Sequence, residues 1–165
     1  MLIILAGLPG SGKSTVGREL ARRLAATYLR IDTMEQAITR SSLGVETAEE
    51  AGYLVGYAVA VDNLRLGRTV IADSVNPIGL SRTGWRDTAA EAGCPSIDVE
   101  VICSDAVEHR RRVKTRTSDI KGLAQPTWQN VVDREYDPWD QDNLVIDTAG
   151  RDVVQCVDEL LAGLP

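Results

Sequence analysis

Leu2-Ile3-Ile4-Leu5-Ala6-Gly7-Leu8-Pro9-Gly10-Ser11-Gly12-Lys13-Ser14-Thr15 decides the fold of this chain. It opens with five consecutive apolar residues, the composition of a strand covered on both faces in a parallel sheet. From Gly7 to Ser14 the chain satisfies G-x-x-x-x-G-K-[ST] at every fixed position. Beyond it, Val16, Leu20 and Leu24 recur every four residues, which predicts a helix over about 13–26. A strand before the glycine loop and a helix after it are the context that a phosphate-binding loop requires. Glycines let backbone N–H groups turn inward around phosphate oxygens, and the helix N-terminus adds its positive end. On this reading Gly7, Pro9, Gly10, Ser11, Gly12, Lys13, Ser14 and Thr15 form the cradle. Lys13 reaches the β/γ-phosphates and Ser14 ligates Mg²⁺. The alternative is a glycine-rich turn beside an exposed lysine.

The rest of the chain repeats the alternation of short apolar strands and helices. Tyr28 to Ile31 reads as a strand ending at Asp32, 69–72 as one ending at Asp73, 97–103 as a fourth, and 144–146 as one ending at Asp147. Between them, Thr47-x-x-Glu50 predicts a capping box opening a helix through Leu66, with Gly67 as its stop. Further helices are expected over 80–92, after Asp105-x-x-Glu108, from Pro126-Thr127 to about Tyr136, and over 152–161. The pattern implies an α/β fold. It is a three-layer P-loop fold with a parallel five-stranded sheet, helices on both faces, and one domain over residues 1–165. An arginine-rich lid is expected at about 110–126.

Composition sets limits on partners. The chain has 165 residues, a net charge of −6, and 44% hydrophobic and 25% charged residues, an ordinary globular balance. The negative charge argues against broad binding to nucleic acid or an anionic membrane. Six of the 18 basic residues nevertheless fall between Arg110 and Lys121, which leaves room for one local anion site. Cys94, Cys103 and Cys156 show no C-x-x-C spacing and read as buried thiols in a reduced, cytoplasmic setting. No apolar stretch approaches the ~20 residues of a membrane span. Composition is silent on the oligomeric state.

A P-loop leaves several functions open. A guanine-reading N-K-x-D is absent, which disfavours a Ras-like GTPase, and the chain is short for a motor. A small kinase needs only an acceptor base, a substrate floor and a cationic lid. Asp32 ends a strand, where ligands bind in open α/β sheets, and reads either as an acceptor base or as the N-cap of a helix starting at Thr33. Asp73 reads as a Walker-B-like acid holding Mg²⁺ or as an acceptor ligand, and Asn76 as an acceptor ligand or a turn former before Pro77. Arg112 and Arg116 share a helix face, while Arg110, Arg111 and His109 read as exposed.

The quoted loop, Arg30-Ile31-Asp32-Thr33-Met34-Glu35-Gln36-Ala37-Ile38, Val70-Ile71-Ala72-Asp73-Ser74-Val75-Asn76-Pro77 and Glu108-His109-Arg110-Arg111-Arg112-Val113-Lys114-Thr115-Arg116 together carry a resemblance. Over about Met1 to Tyr136 the chain resembles the AAA domain kinases grouped with the polynucleotide 5′-kinase domain, and more distantly gluconate, shikimate and chloramphenicol kinases. The resemblance implies an ATP- and Mg²⁺-dependent kinase acting on a small-molecule hydroxyl. It makes Asp32 the base, Arg112 and Arg116 the lid arginines, and Asp147 to Gly150 a contact near adenine. The nucleic-acid-processing relatives carry an arginine near the position of Glu35. The carboxylate here would repel a phosphate, which favours a neutral or cationic acceptor. Glu35 would line that pocket with Tyr53, Tyr57 and Trp85, although core packing is the alternative for the two tyrosines.

Overall fold

The computed structural model describes residues 1–42, 44–48 and 50–165. In chain order the elements are β1 (Leu2–Ala6), α1 (Lys13–Leu24), β2 (Thr27–Arg30), α2 (Ile31–Thr39), α3 (Ala51–Arg65), β3 (Val70–Asp73), α4 (Gly79–Glu91), β4 (Ser96–Ile102), α5 (Ala106–Thr115), α6 (Trp128–Val132), β5 (Leu144–Asp147) and α7 (Val153–Ala162). The five strands form one sheet in the order β2-β3-β1-β4-β5, and every neighbouring pair is parallel. The expected α/β architecture is the one observed.

The apolar run at 2–6 is the central strand, and its alternation divides the interior in two. Ile3 and Leu5 point to a core with Val16 and Leu20 of α1 and Cys156, Val157 and Leu160 of α7. Leu2 and Ile4 point the other way, to Leu29, Ala60, Leu64, Trp85 and Ala89. A strand buried on both faces needs apolar residues at consecutive positions, and β1 is buried throughout. Cys103 and Cys156 are buried and Cys94 half-buried, all as free thiols.

Several boundaries differ from the sequence reading. β2 stops at Arg30 and α2 begins at once, so Asp32 lies in the first turn of a helix rather than at a strand end or an N-cap. Helix α3 starts at Ala51, so Thr47-x-x-Glu50 is not the box at its N-terminus. Asp105 does cap α5, accepting from the amides of Val107 and Glu108, but the Glu108 side chain turns to Arg112 and Gly150 instead of back to the cap. Helix α6 is opened by a Thr127–Asn130 capping box and ends at Val132, short of Tyr136. The residues beyond it serve another purpose.

That purpose is to receive Arg82, whose side chain is completely buried. Its guanidinium donates to the carbonyls of Asn76 (3.0 Å), Pro77 (3.3 Å), Asp137 (3.0 Å) and Pro138 (3.1 Å). The Tyr136 and Trp139 rings lie 5.0 and 4.1 Å from it. Arg82 thereby fastens the turn after β3 to the segment after α6. Arg82→Met is expected to destabilise the protein by about 3 kcal/mol or more, because each abandoned buried acceptor costs about 1–3 kcal/mol. A fall in the urea midpoint reads this; an unchanged midpoint would refute it.

Candidate active site

All five strands present their carboxyl ends to one edge, and the glycine loop spans it. Its path depends on glycine at two points. At Gly7 (φ +144°) a Cβ would stand 2.2 Å from the Val101 carbonyl oxygen, and at Gly10 (φ +87°) 2.6 Å from Val113. Behind the loop, His109 is buried rather than exposed: its Nε2 lies 2.9 Å from the Pro9 carbonyl, and its ring meets Trp128 edge-on at 5.3 Å.

Lys13 opens α1 and is only 8% exposed, and Asp73 at the end of β3 is 1% exposed. The ammonium donates to Asp73 Oδ1, and the Tyr28 hydroxyl donates to Oδ2. Burial pushes the Asp73 carboxyl up, but Lys13, Tyr28 and Ser14 together hold it below the usual range. Burial and then the Asp73 charge push the Tyr28 phenol far up, so it stays a donor.

Sequence reasoning passed over Tyr28. The available signal was Gly17, a glycine in mid-helix that costs about 1 kcal/mol against alanine. A Cβ there would stand 2.7 Å from Leu5 Cδ1 and 3.1 Å from Tyr28 Cε2, so Gly17 makes the slot in which the phenol lies. Tyr28→Phe is expected to lower stability by about 1–3 kcal/mol, since buried Asp73 loses one of its three donors, Lys13, Tyr28 and Ser14. Thermal melting measures this, and an unshifted melting temperature would count against the bond.

Arg112 is bonded on several sides. It donates to Glu108 Oε1 (2.7 Å), to Thr148 Oγ1 (2.7 Å) and to the Thr148 carbonyl (2.9 Å). The Thr148 hydroxyl in turn donates to the Ser11 carbonyl (2.7 Å), and Glu108 accepts from the Gly150 amide (2.9 Å). Arg112 thus joins the loop after β5 to the glycine loop.

A cleft of about 1160 Å³ runs from the glycine loop to α2 and brings together Lys13, Ser14, Asp32, Glu35, Arg112 and Arg116. Arg116 is the C-cap of α5; burial lowers its guanidinium pKa, and Asp32 opposes that shift. Helix α5 takes up residues through Thr115, so only the segment after it lacks regular structure as the expected lid. Asp119 on that segment pairs with Arg18 (2.6 Å) and Arg30 (2.8 Å), holding it across the cleft. Of the expected residues, Asp73 is buried against Lys13 and does not line this cleft, and three more are elsewhere. Asn76 (φ +46°) is fully buried and donates to the Leu5 carbonyl (2.8 Å). Trp85 is fully buried in the core, edge-on to Tyr57 at 4.7 Å. Tyr57 packs there with it, while Tyr53 lines the cleft.

One family profile, described as AAA domain, matches residues 2–132. The chain belongs to the AAA domain family. Among its relatives, the "Probable adenylyl-sulfate kinase" of Aeropyrum pernix is 26% identical over 173 residues, covering 97% of this chain and 90% of that one. A shikimate kinase of Dechloromonas aromatica is 34% identical over 95 residues, 50% of this chain and 51% of its own. In fold, this AAA domain matches the Mycobacterium tuberculosis APS kinase CysC in complex with AMPPNP and APS. The TM-score is 0.73 at 20% identity, covering 98% of this chain and 95% of that one. The AAA domain described here is a P-loop kinase, dependent on ATP. No described helix is long and apolar enough to cross a membrane.

Proposed function

We propose that this kinase moves the γ-phosphate of ATP to a hydroxyl of a small neutral or cationic molecule, with Asp32 as the base. The observation that carries this reading is the sharing of one cleft by Lys13, Ser14, Asp32 and Arg116. The glycine-loop amides and Lys13 hold the β/γ-phosphates, so the Lys13 ammonium leaves Asp73 for the nucleotide. Asp32 orients the acceptor hydroxyl and takes its proton as the new P–O bond forms. Arg116 and Arg112, on the lid side, stabilise the charge that develops on the transferring group.

The residues present fit Mg²⁺. Among the described residues no group of three or more His, Cys, Asp or Glu forms a closed cage. A magnesium ion keeps several waters and takes substrate phosphates as ligands, so one hydroxyl and one acid suffice. Ser14 and Asp73 would hold it, and it supplies charge neutralisation on the β/γ-oxygens. Glu35 at the acceptor end and the net charge of −6 disfavour a phosphate-bearing acceptor.

A labelled-ATP assay over sugars, nucleosides and 5′-hydroxyl oligonucleotides tests the proposal. A phosphorylated small product is expected. Transfer confined to oligonucleotides, or hydrolysis that requires a protein partner and leaves no small product, would overturn it.

A further inference from the structure

Glu35 lines the cleft one helical turn beyond Asp32, about 5–6 Å away between Cβ atoms. It is held there by helix α3: at Gly52 a Cβ would stand 2.4 Å from Glu35 Cγ, so α3 presses its backbone onto the side chain. Burial, and then the charge on Asp32, push the Glu35 carboxyl above its usual range. The cations nearby are engaged elsewhere or remote. Arg30 pairs with Asp119, Arg116 answers Asp32, and Arg134 is exposed at the rim. Ser74, only 3% exposed, lines the same cleft beside the Tyr53 hydroxyl. Among the described residues no cation pairs with this half-buried carboxylate, a cost that a cation on the ligand would offset.

We infer that the acceptor is an amino alcohol or amino sugar, with its hydroxyl at Asp32 and its protonated amine on Glu35. This deepens the reading of Asp32 as the base and rests on it. The acceptor O–H gives its proton to Asp32, its oxygen bonds the γ-phosphorus, the bridging P–O bond breaks and ADP departs. The amine, protonated and held on a carboxylate, has no free lone pair and is not the nucleophile. Glu35 selects by charge: it attracts an ammonium, leaves a neutral alcohol with one unsatisfied partner, and repels a carboxylate.

The test uses two matched series: glucosamine, glucose and glucuronate; and propanolamine, propanediol and hydroxypropionate. Binding is read by calorimetry on the full chain loaded with a non-hydrolysable ATP analogue, and transfer is read with labelled ATP. In at least one series the amine is expected to bind about tenfold or more tighter than the neutral member, equivalent to about 1.4 kcal/mol, with the carboxylate weakest. In Glu35→Gln, an isosteric change, the amine-to-neutral affinity ratio is expected to fall to about one. A neutral or carboxylate preference, an unchanged ratio in Glu35→Gln, or no binding in either series would each overturn the inference. Asp32-dependent transfer to the neutral members would then still support the kinase reading. An amine preference with transfer that survives Asp32→Asn would instead remove Asp32 as base and leave the Glu35 assignment standing.

Discussion

Lys13→Met is expected to cost the folded protein about 3–5 kcal/mol as well as its phosphoryl transfer, because it strands a charge. Asp73 is 1% exposed, and without the ammonium it keeps only the Tyr28 hydroxyl and Ser14 to answer it. Adding Asp73→Asn removes the stranded charge, so the double variant should recover most of the stability and none of the activity. The pH dependence has a definite sign. The folded Asp73 carboxyl lies below its unfolded value of about 3.9. Its contribution is therefore full above that value and is lost as the pH falls through the depressed one. In Lys13→Met, burial is left to raise the carboxyl, and protonation then relieves the variant. Urea unfolding should thus show a wide gap between the two proteins at neutral pH and a narrower one in acid. Equal gaps would show that the lost stability does not come from this carboxylate.

Asp32→Asn is expected to slow transfer by about 10²–10⁴-fold, the usual contribution of a positioned base, with nucleotide affinity nearly unchanged. The amide has the carboxylate's shape but cannot take the acceptor proton. The fold should tolerate it. Asp32 sits in the first turn of α2, where losing a negative charge removes about 0.3–1 kcal/mol of helix-end stabilisation. Transfer rates with and without the change, beside calorimetric binding of an ATP analogue, separate the outcomes. Turnover at the unaltered rate would exclude Asp32 as the base.

The parts of this molecule that were legible in the sequence are those whose causes are local. The apolar run at 2–6, the glycine loop and the four-residue spacing of Val16, Leu20 and Leu24 each require only neighbours in the chain to be understood. Asp32, Glu35, Arg112 and Arg116 were singled out through the resemblance, and the structure brings all four to one cleft. What escaped depends on distant partners. His109 reads as a surface residue on a basic helix until the chain brings Pro9, 100 positions away, against its ring. Nothing in the local sequence singles out Arg82 of α4, whose burial depends on the segment at 136–139 closing over it. Tyr28 reads as a strand residue like its neighbours, and only Gly17 facing it gives the slot away. Asp32 missed its expected place by one element because β2 runs into α2 with no intervening turn.

The Thr148 clamp bears on what counts as one working unit. The match to the family profile ends at residue 132, yet the carbonyl of Ser11 is held by a hydroxyl that the chain supplies only at position 148. The same residue fixes Arg112, and Gly150 fixes Glu108. The loop between the last strand and the last helix is therefore a keystone of the nucleotide cradle, not a trailing appendix. The stretch that the family profile matches is shorter than the stretch that makes a cradle, and a fragment cut at residue 132 would keep the motif while losing what holds it in shape.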